Sequence, residues 1–303
     1  MNYRLVIPSR ERAAWLMNQK HATLAQIEHL DPIFMVRNDD SQLEAYKRYC
    51  SRLTIYDGRN IYGAAQTYDM IIDQAIIDRV DHLVILDDDL SLAMHNPVLG
   101  ARPVFRLTSS LEATVLMQHF ADIVCPEVPM ASLTPIMSRS QPGVVSYCHP
   151  MMMAYSIYVP HFRDHPEHRF WVGKEIEARC DLNLTLRLLT SGYLTAFMAT
   201  CFIPDNVNNP GGCSTYRDIE CERNSVAFLK RNYPQFIRTH LKRGWVGDDS
   251  VIREAPVISW KKAFNSAQFH VNFNEDASVF MYEHLTAYQT KYGEWIDELR
   301  RNS

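Results

Sequence analysis

The chain has 303 residues, 47% of them hydrophobic, and a formal net charge of −4. That is enough apolar content for a substantial core, and the weakly acidic balance excludes a protein that coats nucleic acid through its overall field. No apolar run is long enough to cross a bilayer, and the opening MNYRLVIPSRER becomes charged before a signal-peptide core develops, so a cytoplasmic protein with no membrane partner is expected.

In chain order, residues 3–8 read as a strand and 11–24 as a helix, 33–37 as a strand and 41–50 as a helix, and 53–56 as a short third strand. Residues 63–80 carry apolar side chains at helical spacing and lead into the apolar run His82-Leu83-Val84-Ile85-Leu86, a buried strand. This alternation is that of a parallel α/β sheet. Beyond it, 97–103 reads as a loop, 109–123 as a helix, 126–142 as an irregular, proline-punctuated crossing and 147–159 as a methionine-rich strand. Met151, Met152 and Met153 are expected to fill gaps in the core. A helix opens at Asp181, a strand covers 193–203, a turn-rich loop covers 206–212, and the remainder reads as mostly helical. The seven cysteines are odd in number and form no CxxC pair, so free thiols are expected rather than a disulfide framework or a cysteine zinc site.

The buried strand ends in three consecutive carboxylates, Asp87, Asp88 and Asp89. Open α/β sheets bind ligands at the C-terminal edge of their strands. Crowding three negative charges there is costly unless a divalent cation bridges them to a phosphate; a solvated acidic turn is the alternative. Asp181 opens the stretch DLNLTLRLLTSGY, with Arg187 six residues on and Gly192 eleven on. An acid in a first helical turn is favoured by the helix dipole and is also a common cap.

In order and spacing these pieces resemble the GT-A fold of nucleotide-sugar glycosyltransferases, over roughly residues 3–216. IPSR (7–10) matches the end of the first strand, NDDS (38–41) the acid-rich turn after the second, RNIYGAAQTYDMIIDQA (59–75) the glycine-containing helix entry, and VILDDDLSL (84–92) the DxD motif. DLNLTLRLLTSGY is similar to the segment of inverting members that opens on an acid pair, except that Cys180 replaces the first acid. The loop NNPGGCSTYR (208–217) and the basic segment after it look like the phage glycosyltransferases associated with TET-type hydroxylases and 5-hydroxymethylcytosine DNA, including the DNA arabinosyltransferases.

The resemblance implies an α/β, GT-A (Rossmann-like) catalytic domain over 1–216 and a mostly helical C-terminal extension over 217–303 that contacts DNA. It implies Mn²⁺ or Mg²⁺ on Asp87 and Asp89, with Asp181 as catalytic base. It places a UDP-sugar, UDP-arabinose or UDP-glucose, against Pro8, Ser9, Arg10, Asp39, Arg59, Asn60, Gly63, Asp87, Asp88, Gly211, Gly212 and Arg217. A third metal ligand is left open between His240 and His270. The acceptor it implies is 5-hydroxymethylcytosine in phage DNA, inside the host cytoplasm.

Two further stretches stand out. Residues 223–247 hold Arg223, Lys230, Arg231, Arg238, Lys242 and Arg243 without an acid, interleaved with Phe228, Tyr233, Phe236 and Trp245. Cations neutralise phosphates and aromatics stack on unpaired bases, so the mixture suits nucleic acid; a solvated helix face with core aromatics is the alternative. His161, His165 and His168 match no standard zinc spacing and Pro166 interrupts any helix aligning them, so a polar surface loop is expected. Competing readings are a glycosyltransferase acting on protein or surface glycan, a sugar nucleotidyltransferase, for which 7–15 lacks the phosphate-loop glycines, and a non-catalytic nucleic-acid-binding protein.

Overall fold

The structure, a computed structural model, describes residues 3–18, 26–96, 104–107, 109–135, 145–203, 212–215, 217–245, 248–269 and 277–302. The first part is built from β1 (Tyr3–Pro8), α1 (Ala13–Asn18), β2 (Ile33–Arg37), α2 (Leu43–Tyr49), β3 (Arg52–Tyr56), α3 (Ala64–Ile77) and β4 (His82–Leu86). The four strands are parallel in the order β3-β2-β1-β4, the Rossmann-like arrangement expected. The chain continues through β5 (Ala93–Asn96), β6 (Val104–Leu107), α4 (Ser110–Asp122), β7 (Met130–Pro135), β8 (Val145–Tyr147), β9 (Ala154–Tyr158), α5 (Val159–Asp164), α6 (Cys180–Thr190) and β10 (Thr195–Ile203). Among the described residues these strands extend one mixed sheet, β3-β2-β1-β4-β9-β7-β10-β5-β6, with β8 paired to β10.

Alternation along the strands builds two core layers. On β4, Val84 and Leu86 face one layer while Leu83 and Ile85 face the other, all fully buried. Each such side chain contributes about 1.5–3 kcal/mol on burial. On one face α3 contributes Ala65, Tyr68, Ile72 and Ala75; on the other α4 contributes Ala113, Leu116, Met117 and Phe120. Both sets follow helical spacing. Ser109 and Glu112 close a capping box at the start of α4, where the Ser109 N–H donates to Glu112 Oε2 at 2.8 Å.

Three expectations need correction. Residues 130–135 form a regular strand, β7, held between β9 and β10 despite the flanking prolines. The strand expected over 147–159 is broken into β8 and β9, with Cys148 (φ 58°) and Met153 (φ 62°) in the left-handed region. The C-terminal part contains α7 (Ile219–Asn232), α8 (Trp260–Asn265) and α9 (Ala277–Asn302), but residues between them form an antiparallel hairpin, β11 (Ile237–Trp245) with β12 (Asp248–Ile258). Pro256 sits in β12 opposite Thr239; a proline is incompatible with a helix interior and is tolerated on a strand that has no neighbour beyond it. Phe228, Tyr233, Phe236, Ala263, Phe264 and Leu285 pack on the same core layer as α4, so the regions before and after residue 216 share one core. The expected loop at 97–103, residues 206–211 of the expected loop at 206–212, and residues 19–24 of the expected first helix lie outside the described residues. Cys50, Cys125, Cys148, Cys180, Cys213 and Cys221 are free thiols, as expected. No helix among the described residues is long and apolar enough to cross a membrane.

Candidate functional site

Parallel pairing of β1 with β4 sets the segment after Pro8 beside the acid triplet. Asp87 extends the β4–β9 pairing, its N–H donating to Met153 O at 3.2 Å, and its Oδ1 accepts the Tyr68 hydroxyl at 2.8 Å. Beneath it Tyr68, Tyr155 and Phe170 form an aromatic cluster with ring centroids 5.0–5.3 Å apart. Burial and then the neighbouring Asp89 charge push the Asp87 carboxyl up to about 8.

Asp88 does not turn toward a donor, as the resemblance implied. It is buried, with Oδ2 accepting from Ser9 Oγ and Oδ1 from Arg12 Nη1. Burial still raises its carboxyl to about 6 against the opposing charge of Arg12. Arg12 also reaches Asp89 Oδ2 at 3.0 Å, so one guanidinium ties two of the three acids. Ser9 is likewise turned inward, its hydroxyl 2.5 Å from Tyr46 Oη. Tyr46 in turn accepts the Arg12 N–H at 3.0 Å, locking the turn that follows β1.

Gly212 reaches the same turn: its N–H donates to Arg10 O at 3.0 Å. Its φ is +57°, and a Cβ there would lie 2.9 Å from Arg12 Nη2, so both backbone conformation and space call for glycine. Gly211 lies outside the described residues. The charge of Arg10 acts on both Asp39 and Tyr56, which groups the ends of β1, β2 and β3. Asp39 itself is clamped by Arg37 through two 2.7 Å hydrogen bonds, which hold its carboxyl below the usual range. Arg59 pairs with Asp57 at 2.6 Å and is largely exposed, as is Asn60. Gly63 is buried with extended backbone, immediately before α3.

Asp181 lies in the first turn of α6, where its Oδ1 accepts the Leu182 N–H at 2.8 Å. Burial raises its carboxyl above the ordinary value, opposed by the charges of Arg179 and Arg217. Asp181 and Asp87 both act on the Tyr155 phenol, which burial and these two charges hold well above its usual range. Both acids therefore act on the same buried tyrosine.

Arg217, expected to meet phosphate, instead donates to Ala178 O at 3.0 Å and lies 3.8 Å from Glu222. Glu222 is fully buried and joins three arginines: Arg179 through bonds of 3.1 and 3.0 Å, Arg253 at 3.2 Å, and Arg217. His240 is exposed on β11 opposite Ala255, on a different sheet from the acid triplet, and His270 lies outside the described residues.

No family profile and no curated protein matches the chain. Among solved structures it is similar to the crystal structure of mannose-1-phosphate geranyltransferase from Thermus thermophilus, with TM-score 0.39 and 12% identity over 68% of this chain and 76% of that one. It is also similar to a cytidylyltransferase from Leptospira borgpetersenii serovar Hardjo-bovis, with TM-score 0.31 and 11% identity over 78% of this chain and 96% of that one. Both neighbours are transferases by name; scores this low carry no inference about what the chain binds.

The basic segment divides between α7, which holds Arg223, Lys230 and Arg231, and β11, which holds Arg238, Lys242 and Arg243. All six cations are exposed. Phe228, Tyr233 and Phe236 pack into the core, so they are not stacking platforms for bases. The histidine segment is corrected too, because His161 and His168 are buried rather than part of a surface loop. Sequence reasoning missed Arg12, Tyr46, Tyr68 and Glu222. Tyr68 falls on the apolar stripe of α3, and Arg12 lies in the segment after β1 that carries no glycine signal.

Proposed function

We propose that the protein is a metal-dependent inverting glycosyltransferase that moves a sugar from a UDP-sugar, UDP-arabinose or UDP-glucose, to 5-hydroxymethylcytosine in DNA. One observation supports this reading: Arg12 ties Asp88 and Asp89 at the end of β4, directly after Asp87, and the buried Tyr155 phenol feels the charges of both Asp87 and Asp181. The donor set is all carboxylate oxygen, which suits Mg²⁺ or Mn²⁺. Asp87 and Asp89 would hold the ion, and when bound it neutralises charge that develops on the leaving diphosphate.

The protein's own groups do the remaining work. Tyr68 orients Asp87, and Arg12, anchored by Asp88 and Asp89, keeps a fixed, buried positive charge beside the acids. Asp181 accepts the proton of the acceptor hydroxyl, its raised carboxyl being a better base than an ordinary aspartate. The exposed cations of α7 and β11 support a phosphate backbone, by charge and without stacking.

The test is incubation with Mn²⁺, UDP-sugars and hydroxymethylcytosine DNA, followed by digestion and mass spectrometry of the nucleosides. A sugar-bearing nucleoside supports the proposal; none with any common donor removes the DNA acceptor. Calorimetry with UDP and Mn²⁺ checks the donor half separately, and absence of metal-dependent UDP binding removes that.

A further inference from the structure

At the other end of β4 the structure gathers a second cluster of metal-binding side chains. β9 runs antiparallel to β4, with Tyr158 opposite His82, so α5 starts at the sheet edge opposite the acid triplet. Five residues of strand separate the two edges, roughly 16 Å at the usual rise. Pro166 follows the end of α5, and the turn beyond it is closed by the His168 N–H donating to His165 O at 3.0 Å. This turn brings His165, Glu167 and His168 together, with one ligand atom of each within 4.8 Å of the other two. His165 Nδ1 is already 3.2 Å from Glu167 Oε1.

Each imidazole is held by a further partner. His165 Nε2 lies 2.8 Å from the Tyr193 hydroxyl, and His168 Nε2 lies 3.2 Å from Ser191 Oγ. His161 Nε2 lies 2.9 Å from His168 Nδ1, with the two rings nearly parallel. Orientation of ligating histidines through their other nitrogen is the usual support of a protein metal site. Two imidazoles and a carboxylate suit Zn²⁺, which binds such atoms at about 2.0–2.2 Å, so the side chains need to close only slightly around the ion.

We propose that His165, Glu167 and His168 bind one Zn²⁺, with Tyr193 positioning His165, either His161 or Ser191 positioning His168 through the ring nitrogen that the ion leaves free, and water completing the shell. The ion would fasten the turn after α5 to the segment after α6, where Ser191 and Tyr193 lie. The ion sits at the sheet edge away from Asp87 and Asp89, and its binding does not depend on what that other site binds.

The experiment strips the full-length protein with EDTA, removes the chelator, and titrates with Zn²⁺ by calorimetry and with Co²⁺ by visible absorption. The expected result is one ion per chain, a raised melting temperature with Zn²⁺, and the d–d bands of four-coordinate Co²⁺. His165 and Glu167 are partly exposed, so the double variant His165→Ala/Glu167→Gln should fold, as circular dichroism will verify, and lose affinity by about 100-fold or more. Asp87→Asn/Asp89→Asn should bind Zn²⁺ unchanged. The proposal is overturned by no zinc binding in the native sequence, by equal binding in the histidine–glutamate variant, or by loss of binding in the Asp87/Asp89 variant, which would move the ion to the acid triplet.

Discussion

Arg12 and Asp88 form an ion pair in which each side chain is less than a tenth exposed. Removing one partner of such a pair leaves an uncompensated buried charge, a loss of about 3–5 kcal/mol. Arg12→Met should therefore lower the urea midpoint markedly, and Arg12→Met/Asp88→Leu should recover much of the loss. Equal destabilisation in the single and double variants would mean that the pair is not what holds the turn after β1.

Donor binding should depend on the outer two acids. Asp87→Asn and Asp89→Asn are each expected to abolish Mn²⁺-dependent UDP binding in calorimetry while the melting temperature stays near that of the unaltered protein. For Asp87→Asn a small stabilisation is expected, since burial and Asp89 already disfavour its charge.

Asp181→Asn should keep UDP binding and lose turnover by about 100-fold to 10,000-fold, the usual contribution of a general base. The base works only when deprotonated, and its raised carboxyl takes up the proton earlier as pH falls. The acid limb of kcat/KM against pH should accordingly lie above the ordinary aspartate value of 3.8 and disappear from the residual activity of the variant.

Gly212→Ala combines a left-handed backbone with a Cβ placed 2.9 Å from Nη2 of Arg12, whose guanidinium is held through Nη1 by Asp88 and has little freedom to move. The conformational part alone is about 1–2 kcal/mol. A thermal melt should show that loss, and UDP affinity should fall with it because Arg12 is displaced.

Glu222→Gln should destabilise by about 3 kcal/mol or more, since three arginines lose a buried counter-charge. If denaturant melts show less than half of that, the arginines are satisfied elsewhere.

Much of the parallel half-sheet was legible because its strands and helices are periodic and local: β2 falls where its apolar run predicts, and α3 and α4 within a few residues of theirs. The hairpin was not, because a cation-rich stretch such as residues 237–245 satisfies helical and strand patterns alike, and the breakers Gly244, Gly247 and Pro256 are scattered along it. Asp87, Asp89 and Asp181 were found as charges near ends of elements. Their partners were hidden because Arg12 lies 76 positions from Asp88 and Tyr68 lies 19 from Asp87, separations that sequence periodicity does not relate. The histidines were discounted on linear spacing, whereas the turn at Pro166 folds them onto one another.

The carboxylate of Glu222 joins Arg253 on the hairpin to Arg179, two positions before Asp181. The hairpin is thus geared to the start of α6 by rigid charge contacts rather than by chain continuity. A load applied to its strands must either rupture those contacts inside the protein or carry the segment bearing Asp181 with it.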